Sequence, residues 1–128
     1  MIVRNYASDD GQSVIEEMPL SFEPYEGDGR ERTALQAATG IRFVRWPAGV
    51  YDWHNAPRRQ YVITLSGQAE LEVSGGRLVR LGAGDVALEE DLTGEGHRVR
   101  VLGNQPLVFV VVPLAVVHDG GQQPAGDR

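Results

Sequence analysis

The chain has 128 residues, a formal charge of −6 at pH 7 and a pI near 5.0. It contains neither cysteine nor lysine, which excludes disulfides, thiolate metal sites, cysteine nucleophiles and Schiff-base lysines. No basic run could follow a phosphate backbone, and the longest apolar run, "PLVFVVVPLAVV", falls short of the roughly 20 residues of a membrane helix. The expectation is a soluble, cytoplasmic, single domain over residues 1–118 with a flexible tail over 119–128, and neither nucleic acid nor membrane as partner.

Sixteen glycines and seven prolines cut the chain into short pieces. "IVRNY" and "LSFEPY" read as N-terminal strands. "ERTALQAATG" is the best helix candidate, with Ala34, Leu35, Ala37 and Ala38 ahead of Gly40, although it also reads through into the strand that follows. "IRFVRW" is a strand ending at Pro47 and Gly49. "QYVITL" runs into Ser66-Gly67, and "AELEV" turns at Ser74-Gly75-Gly76 to return as "RLVRL". After "GAGD" come the short strand "VAL", the acidic loop "EEDLTGEG", the alternating "HRVRV", a Gly103-Asn104 turn and "LVFVVV". Many brief strands with tight turns predict an all-β sandwich or small barrel.

Period two orients the side chains. In "YDWHNA" it sets Asp52, His54 and Ala56 on one face and Tyr51, Trp53 and Asn55 on the other. Gln60, Val62 and Thr64 share a face in the next strand. In "HRVRV", Arg98 and Arg100 should face water, so His97 opens its strand pointing inward. Phe43, Arg45, Val62, Thr64, Val99, Val101, Phe109 and Val111, or neighbours of opposite parity where a bulge shifts the count, are expected to line a cavity.

The residues Gly49, His54, Ala56, Gln60 and Gly67, followed by the Gly84-Asp85 turn and His97, resemble the two signatures of the cupin superfamily over roughly residues 41–112. The resemblance implies a jelly-roll β-barrel of two antiparallel sheets. It further implies a divalent metal (zinc, iron, manganese or nickel) at His54, Gln60 and His97. Ala56 stands where the family has a second histidine and Gln60 where it has a glutamate, which predicts a weak site.

Two uses of the site stay open: His54 and His97 as metal ligands, or as proton-transfer groups without metal. Glu89 or Glu90 is a plausible general acid or base, and Glu90 is taken as the catalytic candidate beside the two histidines. Asp52, Glu89 or Glu90 is also a source of the charge lost at Gln60. Arg59, Thr64 and Phe43 are the expected substrate contacts, with Arg58 read as an exposed turn residue and His118 as non-catalytic. The leading function is an isomerase, cyclase or lyase acting on a small organic acid, enol or aromatic metabolite. The alternatives are a small-ligand binding or sensing domain and a metal-dependent dioxygenase. A homodimer paired through the N-terminal strands is expected.

Overall fold

A computed structural model describes residues 1–116; His118 and the expected tail over 119–128 lie outside the described residues. The described chain is all-β, with twelve strands in three sheets and no helix among the described residues, hence none long and apolar enough to cross a membrane. The largest sheet joins β2 (Ser13–Glu17), β1 (Ile2–Ala7), β10 (Val86–Glu90), β7 (Gln60–Ser66), β12 (Leu107–Pro113) and β5 (Arg42–Trp46), in that order. A four-stranded sheet joins β6 (Gly49–His54), β11 (His97–Val101), β8 (Ala69–Val73) and β9 (Leu78–Leu81). The third is the exposed hairpin of β3 (Glu23–Pro24) and β4 (Glu31–Arg32). Two purely antiparallel sheets were expected; instead β1 and β10 run parallel, because the N-terminal strand joins the large sheet across a long chain separation.

The two larger sheets face each other across a shared core. Val3, Ile15 and Ala87 of the large sheet pack against Leu71, Val73 and Leu81 of the small one. Leu107, Phe109 and Val111 pack against Ala69 and Val101. Each of the larger side chains, Val, Leu, Ile or Phe, contributes roughly 1.5–3 kcal/mol of burial free energy. A polar seam joins the sheets at one end. Ser13 and Ser74 exchange backbone-to-hydroxyl bonds at 2.6 and 2.9 Å, and the Ser13 hydroxyl donates to the Gly96 carbonyl at 2.6 Å. On the outer face of the small sheet Arg98 pairs with Glu72 at 2.6 Å, which leaves His97 facing inward as the alternation predicts.

Three local expectations change. The candidate helix is not formed: Glu31 and Arg32 belong to β4, and Ala38 bridges to Leu114. Its alanines have no apolar partner face to bury a helical stripe against, and backbone bonds from Thr39 to Pro113 and from Ala115 to Ala37 hold the segment extended. "IVRNY" is paired on both sides, by β2 and β10, so it offers no free edge for a dimer. The strand expected to end at Leu88 continues to Glu90, which takes Glu89 and Glu90 out of the loop and into β10.

Candidate functional site

Strand register lays out the inner face of the large sheet row by row. Val62 of β7 pairs with Ala87 of β10 and with Val111 of β12, whose other partner is Arg42 of β5. In the next row Gln60 pairs with Glu89, and Glu89 with Asn5 of β1. A polar row of Gln60, Glu89 and Asn5 thus caps one end of an otherwise apolar face. All three are buried, and their side chains sit among β-strands, where each misplaced polar atom costs about 1–3 kcal/mol.

Into this row projects His97, the first residue of β11 on the opposite sheet, 1% exposed. Its Nδ1 lies 2.5 Å from Oδ2 of the fully buried Asp91, and its Nε2 lies 3.4 Å from Oε2 of Glu89. The Gln60 amide donates to Glu89 Oε1 at 3.0 Å and accepts from Arg58 at 3.3 Å. Asp91 Oδ1 and both amide atoms of Asn5 are buried without a hydrogen-bond partner. The polar end therefore holds more bonding capacity than the described residues satisfy.

His54 closes the mouth side. It pairs with His97 across the β6–β11 ladder, with ring centroids 4.4 Å apart and planes at 63°. Its Nδ1 is 2.6 Å from the Asp52 carbonyl. A carbonyl only accepts, so Nδ1 carries the proton and Nε2 keeps a lone pair. Gly96 makes this approach possible: its φ of +73° suits glycine, and a Cβ there would collide with the His54 carbonyl. Asn55 ties the loop down by donating to the carbonyls of Asp91, Thr93 and Gly94 at 3.0–3.2 Å.

Burial and charge set the protonation. Burial pushes the Glu89 carboxyl up from 4.5, and the neighbouring His97 and Gln60 offset only part of this. Burial alone would lower His97, but the Asp91 hydrogen bond and the charges of Glu89 and Asp91 outweigh it and hold the imidazole above 6.5. The pair is a proton donor and acceptor in contact, at the end of a cavity of about 490 Å³. Its walls are mostly apolar, from Val44, Trp46, Val62, Leu71, Val99 and Phe109 among others.

The cupin domain family model matches residues 42–113, more than half of the chain. The chain belongs to the cupin domain family. This cupin matches no curated protein. Among solved structures it is similar to a cupin domain from Bordetella pertussis, at 20% identity over 65% of this chain and 94% of that one, with a TM-score of 0.45. It is also similar to a DUF1255 protein from Acidithiobacillus ferrooxidans, at 19% identity over 84% of this chain and 83% of that one, TM-score 0.45. A third is the oxalate decarboxylase of Lactobacillus farciminis, at 19% identity over 78% of this chain but 35% of that one, TM-score 0.47.

The donors at this site do not fit a divalent metal. Among the described residues no group of three or more His, Asp or Glu side chains is placed to hold one. Ala56 is buried and offers only a methyl group. Both amide atoms of Gln60 are engaged, and the Arg58 guanidinium beside its oxygen sets a positive charge where a dication would have to sit.

His54, Gln60, Thr64 and His97 meet at the cavity. Phe43, Arg59 and Glu90 do not line it. Phe43 is 68% exposed because pairing of Val44 with the inward Phe109 turns Val44 and Trp46 inward instead. Glu90 follows Glu89 in β10 and so faces the other side of the sheet, where Arg59 and Arg4 donate to it at 2.7 and 2.9 Å. Arg58, expected to be a plain turn residue, takes the cavity position. Tyr51 also departs from its expected face: between His54 and Tyr51 two residues of β6, Asp52 and Trp53, oppose one of β11, Arg98, and this bulge stacks Tyr51 on Trp46 at 4.3 Å. Asp91 was missed as a site residue. Its signal lies in "VALEED", where Ala87, Glu89 and Asp91 share one parity.

Proposed function

We propose that this cupin is a metal-independent proton-transfer enzyme that isomerises, cyclises or dehydrates a small metabolite in the cavity, the two larger sheets forming a jelly-roll barrel around it. One observation carries the reading: a buried carboxyl, Glu89, with its pKa raised, in contact with an imidazole that Asp91 orients, at the polar end of an apolar cavity. Removing a proton next to a carbonyl or imine calls for a base stronger than an ordinary carboxylate, and burial raises Glu89 in that direction.

In an isomerisation the Glu89 carboxylate takes a proton from one carbon, and the electron pair of that C–H bond moves to the substrate's oxygen. A proton from His97 then reaches a second carbon, so the sum of atoms and charge is unchanged. Asp91 keeps the His97 Nδ1–H engaged, leaving Nε2 to exchange the proton. His54 offers Nε2 on the mouth side, 4.4 Å ring to ring from His97.

Deuterium incorporation tests this. EDTA-treated protein in D₂O is incubated with a panel of small keto and enol compounds, and C–H exchange is read by NMR. Exchange into at least one compound, lost in Glu89→Gln and His54→Ala, is expected. No exchange across the panel with a tight binder present would point to a binding domain instead.

A homodimer accompanies this reading. Leu20, Phe22, Leu35, Ile41 and Phe43 are exposed on the segment leading into β5, which is an edge strand. Sedimentation at micromolar concentration should give twice the chain mass, and a monomer would remove the dimer while leaving the site intact.

A further inference from the structure

We propose that Arg42 and Arg58 form an anion clamp at the mouth of the cavity, which receives the carboxylate of a small monoacid with an apolar body. The proposal rests on the cavity being the ligand site, and it names the class of molecule that enters.

Arg4, Arg30, Arg59, Arg80, Arg98 and Arg100 each have a carboxylate within 4.0 Å. Among the described residues Arg42 and Arg58 have none, and both line the cavity. Arg58 makes one bond, to the Gln60 oxygen, which leaves most of its five donors open. In a chain of net charge −6, two cations without acidic partners at one concave mouth mark a place for an anion.

Topology brings the two together. Arg42 opens β5 on the inner face, Arg58 precedes β7, and β12 lies between those strands. The register sets Arg42 level with Val62, four residues beyond Arg58, so the two backbones lie two strand spacings apart across the sheet, roughly 10 Å, and roughly 13 Å apart along it, a gap that two long arginine side chains leaning toward each other across the mouth can close on one carboxylate. The planar guanidinium matches a carboxylate with two parallel bonds.

Depth decides the rest of the molecule. The cavity residues that are exposed, Arg42, His54, Pro57 and Arg58 among them, are at the mouth. The buried ones below are largely apolar, Phe109 and Val111 among them, and would surround a hydrocarbon or aromatic body. Arg42 and Arg58 are the only arginines lining the cavity among the described residues, so together they receive one anionic group, and the apolar walls offer no partner for a second. The ligand is therefore a monoanion.

Calorimetric titration of the full chain with phenylacetate, phenylacetamide and inorganic phosphate tests the clamp. Phenylacetate should bind at least tenfold more tightly than phenylacetamide, and phosphate more weakly than phenylacetate. The Arg42→Met/Arg58→Met variant should lose that advantage at unchanged phenylacetamide affinity. Both arginines are exposed and lack acidic partners among the described residues, so an unchanged Tm is expected and checks folding. Equal binding of acid and amide, phosphate binding as tightly as phenylacetate, an unaffected variant, or no binding of either organic probe would each overturn the clamp. Proton transfer is judged separately: acid selectivity without deuterium exchange overturns the enzyme reading alone, and exchange without acid selectivity overturns the clamp alone.

Discussion

Glu89 and Glu90 are neighbours on β10, yet one sheet separates their surroundings. Glu89 faces the interior with His97 at 3.4 Å, and burial raises its pKa. Glu90 faces outward; burial would raise it too, but hydrogen bonds from Arg59 and Arg4 outweigh that and hold it below the ordinary 4.5. A single step along a strand thus separates a carboxyl whose proton burial helps to hold from one whose ionised form two arginines favour. The identity of the residue is the same; the side of the sheet assigns the chemistry.

The largest expected effect breaks this comparison at its functional end. Glu89→Gln should slow deuterium exchange by about 10²–10⁴-fold, the usual worth of a general acid or base. Glu90→Gln should leave exchange within about twofold and cost roughly 0.5–1 kcal/mol of stability, as a partly exposed ion pair does. Equal losses in the two variants would erase the distinction.

Next in size is the loop that brings the two histidines together. Gly96→Ala combines a left-handed backbone with a collision at the His54 carbonyl, and should destabilise by about 2 kcal/mol or more in urea unfolding. Gly75→Ala has the same sign of φ but open space around it, and should cost only about 1–2 kcal/mol.

A smaller effect concerns pH. A folded pKa raised above its unfolded value gives stability that is complete below the unfolded pKa and fades as pH rises through the folded one. Glu89 and His97 are both raised, from 4.5 and 6.5, so stability should decline on the alkaline side of these values. Glu90, being lowered, does the opposite, and its contribution should fade as pH falls below 4.5. Thermal melts should show Glu89→Gln flattening the alkaline decline, with a higher Tm than the parent chain at about pH 9. Glu90→Gln should flatten the acid-side slope and lower stability by a constant amount above it. The smallest effect on the site is at Phe43: Phe43→Ser should leave ligand affinity unchanged, because the ring lies outside the cavity.

Much of the fold was legible because its signals are local. The Ser74-Gly75-Gly76 turn, the alternation of "AELEV" and the arginines flanking Val99 each declare a strand or a face within a few residues. His97 was correctly turned inward on that basis. What escaped was decided by pairing between distant segments. The bulge in β6 turns Tyr51 inward, the pairing of β5 with β12 buries Val44 in place of Phe43, and the pairing of Glu89 with Gln60 extends β10 beyond "VAL". The exchange of roles between Arg58 and Arg59 has the same origin, since Arg59 finds Glu90 only once β10 is known to reach that far. The two imidazoles were placed together by signature spacing. Of the carboxyls beside them, Glu89 was one of two candidates in the sequence and Asp91 was none.

The most direct test is the rate of solvent deuterium incorporation in metal-stripped protein, before and after addition of zinc, iron(II), manganese or nickel. The account predicts full exchange in the stripped protein and no increase with any of these ions. A stripped protein that is inactive and regains exchange at one equivalent of metal would contradict it.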